Sequence, residues 1–311
     1  MKIRLGYVSI CTTIDKTTSK VVSFKNYTNL GIKEGNKKID KTILSNIESL
    51  KEILNYNIRN NIHFYRMTSR LIPLGTHKEV STNLNKFKNE LESIGLMIKK
   101  NHLRVDTHPD QFCVLNSLNN DVIKMSVNIL KHHLDIFKLM NISSRTVLHI
   151  GSGTPNKKYA ITRFINTFNE LDKDLREMII LENDDKVFTA LDILLLCEKL
   201  NIPMVLDYHH HMCNNNGDDI EDLIDRIFKT WGNDIPKIHF SSPKNQKEKR
   251  SHHDYIDCDN FITFIEKIKF VNKDIDIMIE AKMKDEALFR LVRQLRYKTN
   301  YEFIDETSFI V

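Results

Sequence analysis

At 311 residues, with 41% hydrophobic and 28% charged side chains, the chain is too apolar to be a disordered polymer and long enough to bury a sizeable core. The formal net charge of +5 is mild and does not by itself separate a polyanion-binding protein from an ordinary soluble enzyme, although it is concentrated locally: residues 1–60 hold eleven Lys and Arg against five Asp and Glu. Five cysteines with no CxxC pair argue against a disulfide framework or a thiolate zinc site, and no apolar run approaches the ~20 residues that cross a bilayer, so a cytoplasmic protein is expected.

The opening MKIRLGYVSI reads as a strand rather than a signal peptide. It is the first of eight short β-branched or apolar runs: 3–9, 62–68, 103–108, 146–151, 178–183, 203–208, 237–242 and 277–282. The stretch 10–40, rich in Thr, Ser, Asn and Lys, lacks any apolar period and is expected to be a long loop that carries the excess positive charge. Helical spacing separates the later runs, as in Ile43, Leu44, Ile47, Leu50, Ile53 and Leu54, or in Leu191, Leu194, Leu195 and Cys197 behind a cap at Thr189. Eight alternations of strand and helix predict a parallel sheet closed into a single (β/α)8 TIM barrel over 1–311, with an open doubly wound sheet as the structural alternative. No internal repeat or Gly/Pro-rich linker divides the chain.

What ends each strand carries the chemistry. The final residues are Tyr7, Arg66, His108, His149, Glu182, Asp207 with His210, His239, and Glu280. In a barrel these ends share one face, where active sites are built. A lone histidine there is more often a packing residue than a ligand, but so many polar ends together are not a coincidence of packing. Imidazoles and carboxylates suit Mn²⁺, Zn²⁺ or Fe²⁺, and the set is long enough for two or three ions, an arrangement suited to phosphodiester hydrolysis.

Neighbouring side chains diverge, so only one or two of His209, His210 and His211 can face one ion, and the same holds for His252 and His253. His63, His132 and His133 are expected to be structural. The loop 243–250, with Lys244, Lys247, Lys249 and Arg250, is either a phosphate grip or an ordinary solvated loop. Lys237 shares a face with His239 inside the barrel, where an ammonium has to be neutralised or modified.

In family order along nearly the whole chain, the segments LGY (5–7), FYRMTSRLIPLGTH (64–77), THPDQFCVLNS (107–117), VLHIGS (147–152), LENDDK (181–186), VLDYHHHMCN (205–214), PKIHFSSP (236–243), HHDYID (252–257) and IEAKMKD (279–285) resemble the UV damage endonucleases (UVDE or UvsE type). These are similar to endonuclease IV in fold and metal chemistry. The resemblance implies metal ligands at His77, His108, His149, Glu182, Asp207, His210, His239, His252 and Glu280, with Glu182 bridging. It also implies a carboxylated lysine at Lys237 and catalytic roles for Glu182, Glu280 and Lys237. Gln111, Phe112 and Tyr7 would probe the lesion, and Phe112 stands where the family often has Tyr. Lys244 is the candidate phosphate contact of the 243–250 loop.

On this reading the chain is a monomeric DNA repair endonuclease with two or three divalent ions, Mn²⁺ first among them, and no nucleotide cofactor or membrane partner. It cuts damaged double-stranded DNA immediately 5′ to cyclobutane dimers, 6-4 photoproducts and abasic sites. The rival readings are a sugar isomerase of the xylose isomerase type, an endonuclease IV-like abasic-site nuclease, and a catalytically dead barrel that only binds damaged DNA.

Overall fold

The computed structural model describes residues 1–311. Its eight barrel strands are β1 (Lys2–Val8), β2 (Phe64–Met67), β3 (Arg104–Thr107), β4 (Arg145–Leu148), β5 (Ile179–Glu182), β6 (Met204–Asp207), β7 (Lys237–Phe240) and β8 (Ile275–Ile279). Each falls within a few residues of an expected run. They pair in parallel in sequence order, and β8 closes on β1 with Ile3 opposite Ile275 and Tyr7 opposite Ile279. This is the expected (β/α)8 barrel.

The connecting helices are α1 (Phe24–Arg59), α2 (Lys88–Lys100), α3 (Asn120–Leu139), α4 (Lys157–Glu170), α5 (Ala190–Leu200), α6 (Ile220–Lys229), α7 (Cys258–Ile268) and α8 (Lys284–Lys298). Their apolar stripes form the main core against the outer face of the strands. Thr189 and Asp192 make a full capping box at the start of α5, as the sequence signals. Near the C-terminus, Ser308–Ile310 pairs antiparallel with the lower half of β1.

Strand parity sorts the barrel interior. On β1 the inward positions are Arg4, Gly6 and Val8. A side chain at Gly6 has no room, since a Cβ there would run into the carbonyl oxygen of Phe64. Two small apolar groups fill the inside, Val8 with Phe64 and Met278, and Val147 with Ile180, Val205 and Trp231. Beneath them Asp276 takes Arg4 at 2.6 Å and Arg104 at 2.7 Å, and the Arg104 guanidinium lies against the rings of Phe64 and Trp231. These contacts make a packed floor, not a pore.

The stretch 10–40 departs from expectation. Ile10–Cys11 and Lys16–Thr17 form a small antiparallel hairpin, and helix begins at Phe24 with Ser23 as its cap. Gly31 breaks it at φ 73°, so a short helix precedes a long one. Apolar periodicity starts only at Ile39 because the helix before it meets the core through Phe24 and Tyr27 alone. Its buried residues are Tyr27 and Gly35, whose Cβ position is filled by the Tyr27 ring.

His133 lies buried in α3, and burial pushes its imidazole down to about 3. The unfolded chain therefore binds a proton that the folded one refuses between about pH 6.5 and 3, and stability falls as pH drops through that window by about 1.4 kcal/mol per unit. Replacing His133 with Leu should remove roughly 2 kcal/mol of the stability difference between pH 7.5 and pH 5. Urea titrations of both proteins at the two pH values test this, and parallel losses would contradict it.

Candidate metal centre

The upper end of the barrel opens into a cleft of about 420 Å³ lined by His108, His149, Glu182, His210, Glu280 and Arg66, with Ser9, Ser19 and Arg70 at its edge. Each ligand candidate is delivered by a strand end or the turn just after it. Glu182 and Asp207 are the last residues of β5 and β6, His239 sits in β7, and His108, His149 and Glu280 follow β3, β4 and β8 directly. Asp207 also caps the short helix Tyr208–Cys213, accepting from the His210 amide at 2.8 Å, which turns His210 back towards the cleft.

Glu182 is the hub. One of its oxygens lies 2.5 Å from Nδ1 of His239; the other lies 2.9 Å from Nε2 of His108 and 3.4 Å from Nε2 of His149. Donor atoms converge in two groups, His108, His149 and Glu182 in one, and Glu182, Asp207, His239 and Glu280 in the other. Glu182 alone belongs to both, the position a bridging carboxylate requires.

Several observations fit divalent cations. His108 donates from Nδ1 to the Pro109 carbonyl at 2.9 Å, and His210 from Nδ1 to the Asn183 carbonyl at 3.0 Å. Both leave Nε2 as the nitrogen open to a ligand or a proton, the orientation that backbone acceptors impose on ligating histidines. His108 Nε2 then faces a Glu182 oxygen at 2.9 Å, a contact that a proton or a shared metal ion can bridge. Buried Asp207 has one oxygen, Oδ2, without a hydrogen-bond partner.

Charge gives the same answer. Glu182, Glu280 and Asp207 share one guanidinium at the heart of the cleft, Arg66, whose Nη2 meets Glu280 at 2.5 Å and His239 Nε2 at 2.8 Å. Burial, reinforced by Glu182 and Glu280, lifts the Asp207 carboxyl to about 8. Against burial, which lowers it, Asp207 and Glu182 raise the His210 imidazole to about 9, so the pair keeps a proton at neutral pH. Burial takes His239 the other way, down to about 4 and therefore neutral, as a ligand must be. Glu182 and Glu280 are both held low: burial would raise the two carboxyls, but hydrogen bonds from the facing imidazoles offset this at Glu182, and Arg66 does so at Glu280.

The structure brings together most but not all of the residues picked from sequence. His252 approaches Glu280 at 3.9 Å from the rim. Of the histidine triplet only His210 faces the cleft; His209 packs edge-on against His252, and His211 against Tyr208. His77 belongs to neither donor group. It lies ten residues past the end of β2, with its ring stacked 4.1 Å from that of Phe24 and Nδ1 accepting from the Glu79 amide.

Tyr7 is a clear correction: it is fully buried beneath α1, its hydroxyl donating to Asn57 at 2.8 Å and its ring edge-on to Tyr65. Parity explains this, since Tyr7 shares its outward face with Ile3 and Leu5 whereas Val8 points in. Gln111 and Phe112 do project, Phe112 being 66% exposed on the loop after β3. Lys244 is paired with Glu248 at 2.7 Å inside its own loop. Lys237 is buried on Asp106 at 2.5 Å, and burial brings its amine down to about 8; Asp106 thus supplies the neutralisation that burial demands. Arg66 is visible in the sequence as a strand end, but its role in holding Glu280 and His239 is not.

Among proteins of the same fold, endonuclease IV from Thermus thermophilus matches with a TM-score of 0.56 over 94% of this chain and 98% of its own at 13% identity, a likeness of fold alone. The crystal structure of SacUVDE matches with a TM-score of 0.87 at 32% identity, covering 95% of this chain and 98% of that one. A UV DNA damage endonuclease of Bacillus mycoides (strain KBAB4) is 38% identical over 301 residues, 95% of each chain. A barrel nuclease of DNA repair is therefore the class. The chain belongs to the UV-endonuclease UvdE family, whose model matches residues 3–308.

The two donor groups make distinct claims about metal content. Glu182→Gln removes a donor from both, whereas Asp207→Asn removes one only from the deeper group. Plasma mass spectrometry after gel filtration should show the larger loss of bound metal for Glu182→Gln and a partial loss for Asp207→Asn. Equal retention by Glu182→Gln and the unaltered protein would rule out the shared position.

Proposed function

We propose that this chain incises the phosphodiester immediately 5′ to ultraviolet photoproducts, and at abasic sites, with two or three divalent ions held by His108, His149, Glu182, Asp207, His210, His239, His252 and Glu280. The observation that carries the reading is Glu182, shared by two converging donor groups at the base of an open cleft, with an exposed aromatic on the loop that follows ligand candidate His108. Ions bound there supply Lewis-acid charge at a scissile phosphate. Imidazole-rich donors favour Mn²⁺ over Mg²⁺, which prefers an all-oxygen shell.

The protein's own part is to orient and to discriminate. Arg66 fixes Glu280 and His239 from behind, Asn183 fixes His210, and Arg70 stands at the lip of the cleft with no carboxylate partner, free for a phosphate oxygen. Photoproducts occur wherever pyrimidines adjoin, so recognition has to read weakened stacking rather than base edges. Gln111 and Phe112, exposed on the loop after β3, would wedge into such a step. Phe112 keeps a stacking face without a hydroxyl. Burial of Lys237 is already relieved by Asp106, so a carbamate there is not needed to explain its place.

An irradiated supercoiled plasmid nicked by the protein, and not by a chelated sample until Mn²⁺ is returned, is the expected result; Mg²⁺ should restore less. Glu182→Gln should retain under a tenth of the incision, a loss exceeding ~1.4 kcal/mol of transition-state stabilisation. Full nicking by the chelated enzyme, or turnover of aldoses in place of DNA, would overturn the reading.

Phe112→Ala should weaken binding to a dimer-containing duplex by roughly tenfold or more, since stacking on a base contributes ~1–3 kcal/mol. Affinity for undamaged duplex rests on phosphate contacts and should stay the same at fixed salt. Because the side chain is exposed, the melting temperature should not move. An unchanged preference for damaged over undamaged DNA would eliminate the wedge.

A further inference from the structure

The chain's positive charge is carried by one piece of structure that the cleft chemistry does not use. Between residues 16 and 41 seven lysines stand against two carboxylates, Glu34 and Asp40, an excess equal to the +5 of the whole chain. This segment comprises the second strand of the small hairpin, the short helix 24–30, and the start of the long helix beyond Gly31.

Its position follows from length. The long helix runs 28 residues over 32–59, ~42 Å at 1.5 Å per residue, against ~23 Å for the seven residues of β1. It runs back down the barrel from the mouth, and its regular burial on the strands begins only at Ile39. The part before Ile39 overhangs the mouth, braced by its own Tyr27–Gly35 seam and the Tyr27–Asn36 hydrogen bond. Lys25, Lys33, Lys37 and Lys38 are all exposed there. Only Lys37 meets a carboxylate, Glu34 at 2.7 Å, an exposed pair of the weak kind.

The overhang is continuous with the cleft. Ser9 and Ser19, at the two ends of the small hairpin, line the cleft, and Phe24 stacks on His77 in the loop that also carries Arg70 to its edge. A duplex whose damaged step enters the cleft has to leave it over the rim.

We propose that this lysine overhang is a second DNA-binding surface that grips the phosphate backbone of the undamaged arm of the same duplex. It deepens the endonuclease reading and rests on it, but makes its own claim: the grip is set by charge and by duplex length, not by the lesion. Backbone contacts made by lysines release counterions, at about 0.9 of a log-log salt slope per phosphate neutralised.

The test is the variant K25Q/K33Q/K37Q/K38Q, which leaves every cleft residue and the Tyr27–Gly35 seam in place. Equilibrium binding of a duplex of about 40 base pairs, damaged and undamaged, is followed across a salt series, alongside a duplex trimmed to a few base pairs on each side of the lesion. The salt slope on both long duplexes should become shallower by about two or more. Binding to the trimmed damaged duplex, metal content and melting temperature should match the unaltered protein. An unchanged slope on the long duplex would overturn the proposal even if incision is intact. Loss of binding to anionic phosphatidylglycerol vesicles, with DNA binding unaltered, would overturn it too. If the slope falls as expected while no incision is found with either protein, it is the endonuclease reading that fails.

Discussion

A nearly buried carboxylate at the base of the cleft, surrounded by imidazoles, is the constraint around which this barrel is arranged. Glu182 is almost fully buried, and its two oxygens face three different histidines. Burying an ion without compensation costs several kcal/mol, and a hydrogen-bonded guanidinium offsets part of it. Arg66 does this for Glu280 and leaves Glu182 to the histidines. Two of those that would have to supply a proton, His239 and His149, are driven towards neutrality by their own burial. The arrangement is unstable as a set of side chains and coherent as a set of ligands.

That demand explains the polarity below the site. A barrel interior is normally filled with branched apolar residues. Here Lys237–Asp106 and Arg4–Asp276–Arg104 occupy inward positions among Phe64, Met278, Val147, Ile180 and Val205. Asp106 also lies 3.8 Å from Arg66, so the buried Lys237–Asp106 pair is linked to the cleft. Each charge in it has an opposite neighbour, a condition under which buried ions hold geometry rather than add stability. Arg66 is thereby fixed from beneath, and through it Glu280 and His239.

How much of this is legible in the amino-acid sequence depends on parity and on distance along the chain. All eight strands and the polar residues that end them can be read, because a parallel strand buried on both faces is a short apolar run whose last inward residue stands out against it. Tyr7 is misplaced by a single position: Val8, not Tyr7, takes the inward place, and the stretch LGYV alternates too weakly to show it. His77 lies outside both donor groups, and a loop residue far from its strand has no parity from which its place could be argued. The helix that begins at Phe24 is hidden for an energetic reason, since its first turns bury only Tyr27 against Gly35 and so carry no apolar stripe. The partner of Lys237 lies on β3, over a hundred residues away, and only the closed sheet brings Asp106 under it.

On the proposed reading, the division of labour between cleft and rim follows from how far each interaction reaches. Coordination and stacking act at contact, so they can tell a damaged step from an intact one, but only after the duplex has arrived. Charge acts over about a Debye length, ~8 Å at physiological salt, and cannot tell lesions apart. A protein that must search undamaged DNA needs the second kind of contact to be weak, extended and outside the site that makes the distinction. The lysines lie on the exposed surface of the overhang, whereas the cations of the barrel interior are locked in ion pairs. Charge that would disturb the donor set is thus held outside the cleft, on the exposed side of the turns before Ile39.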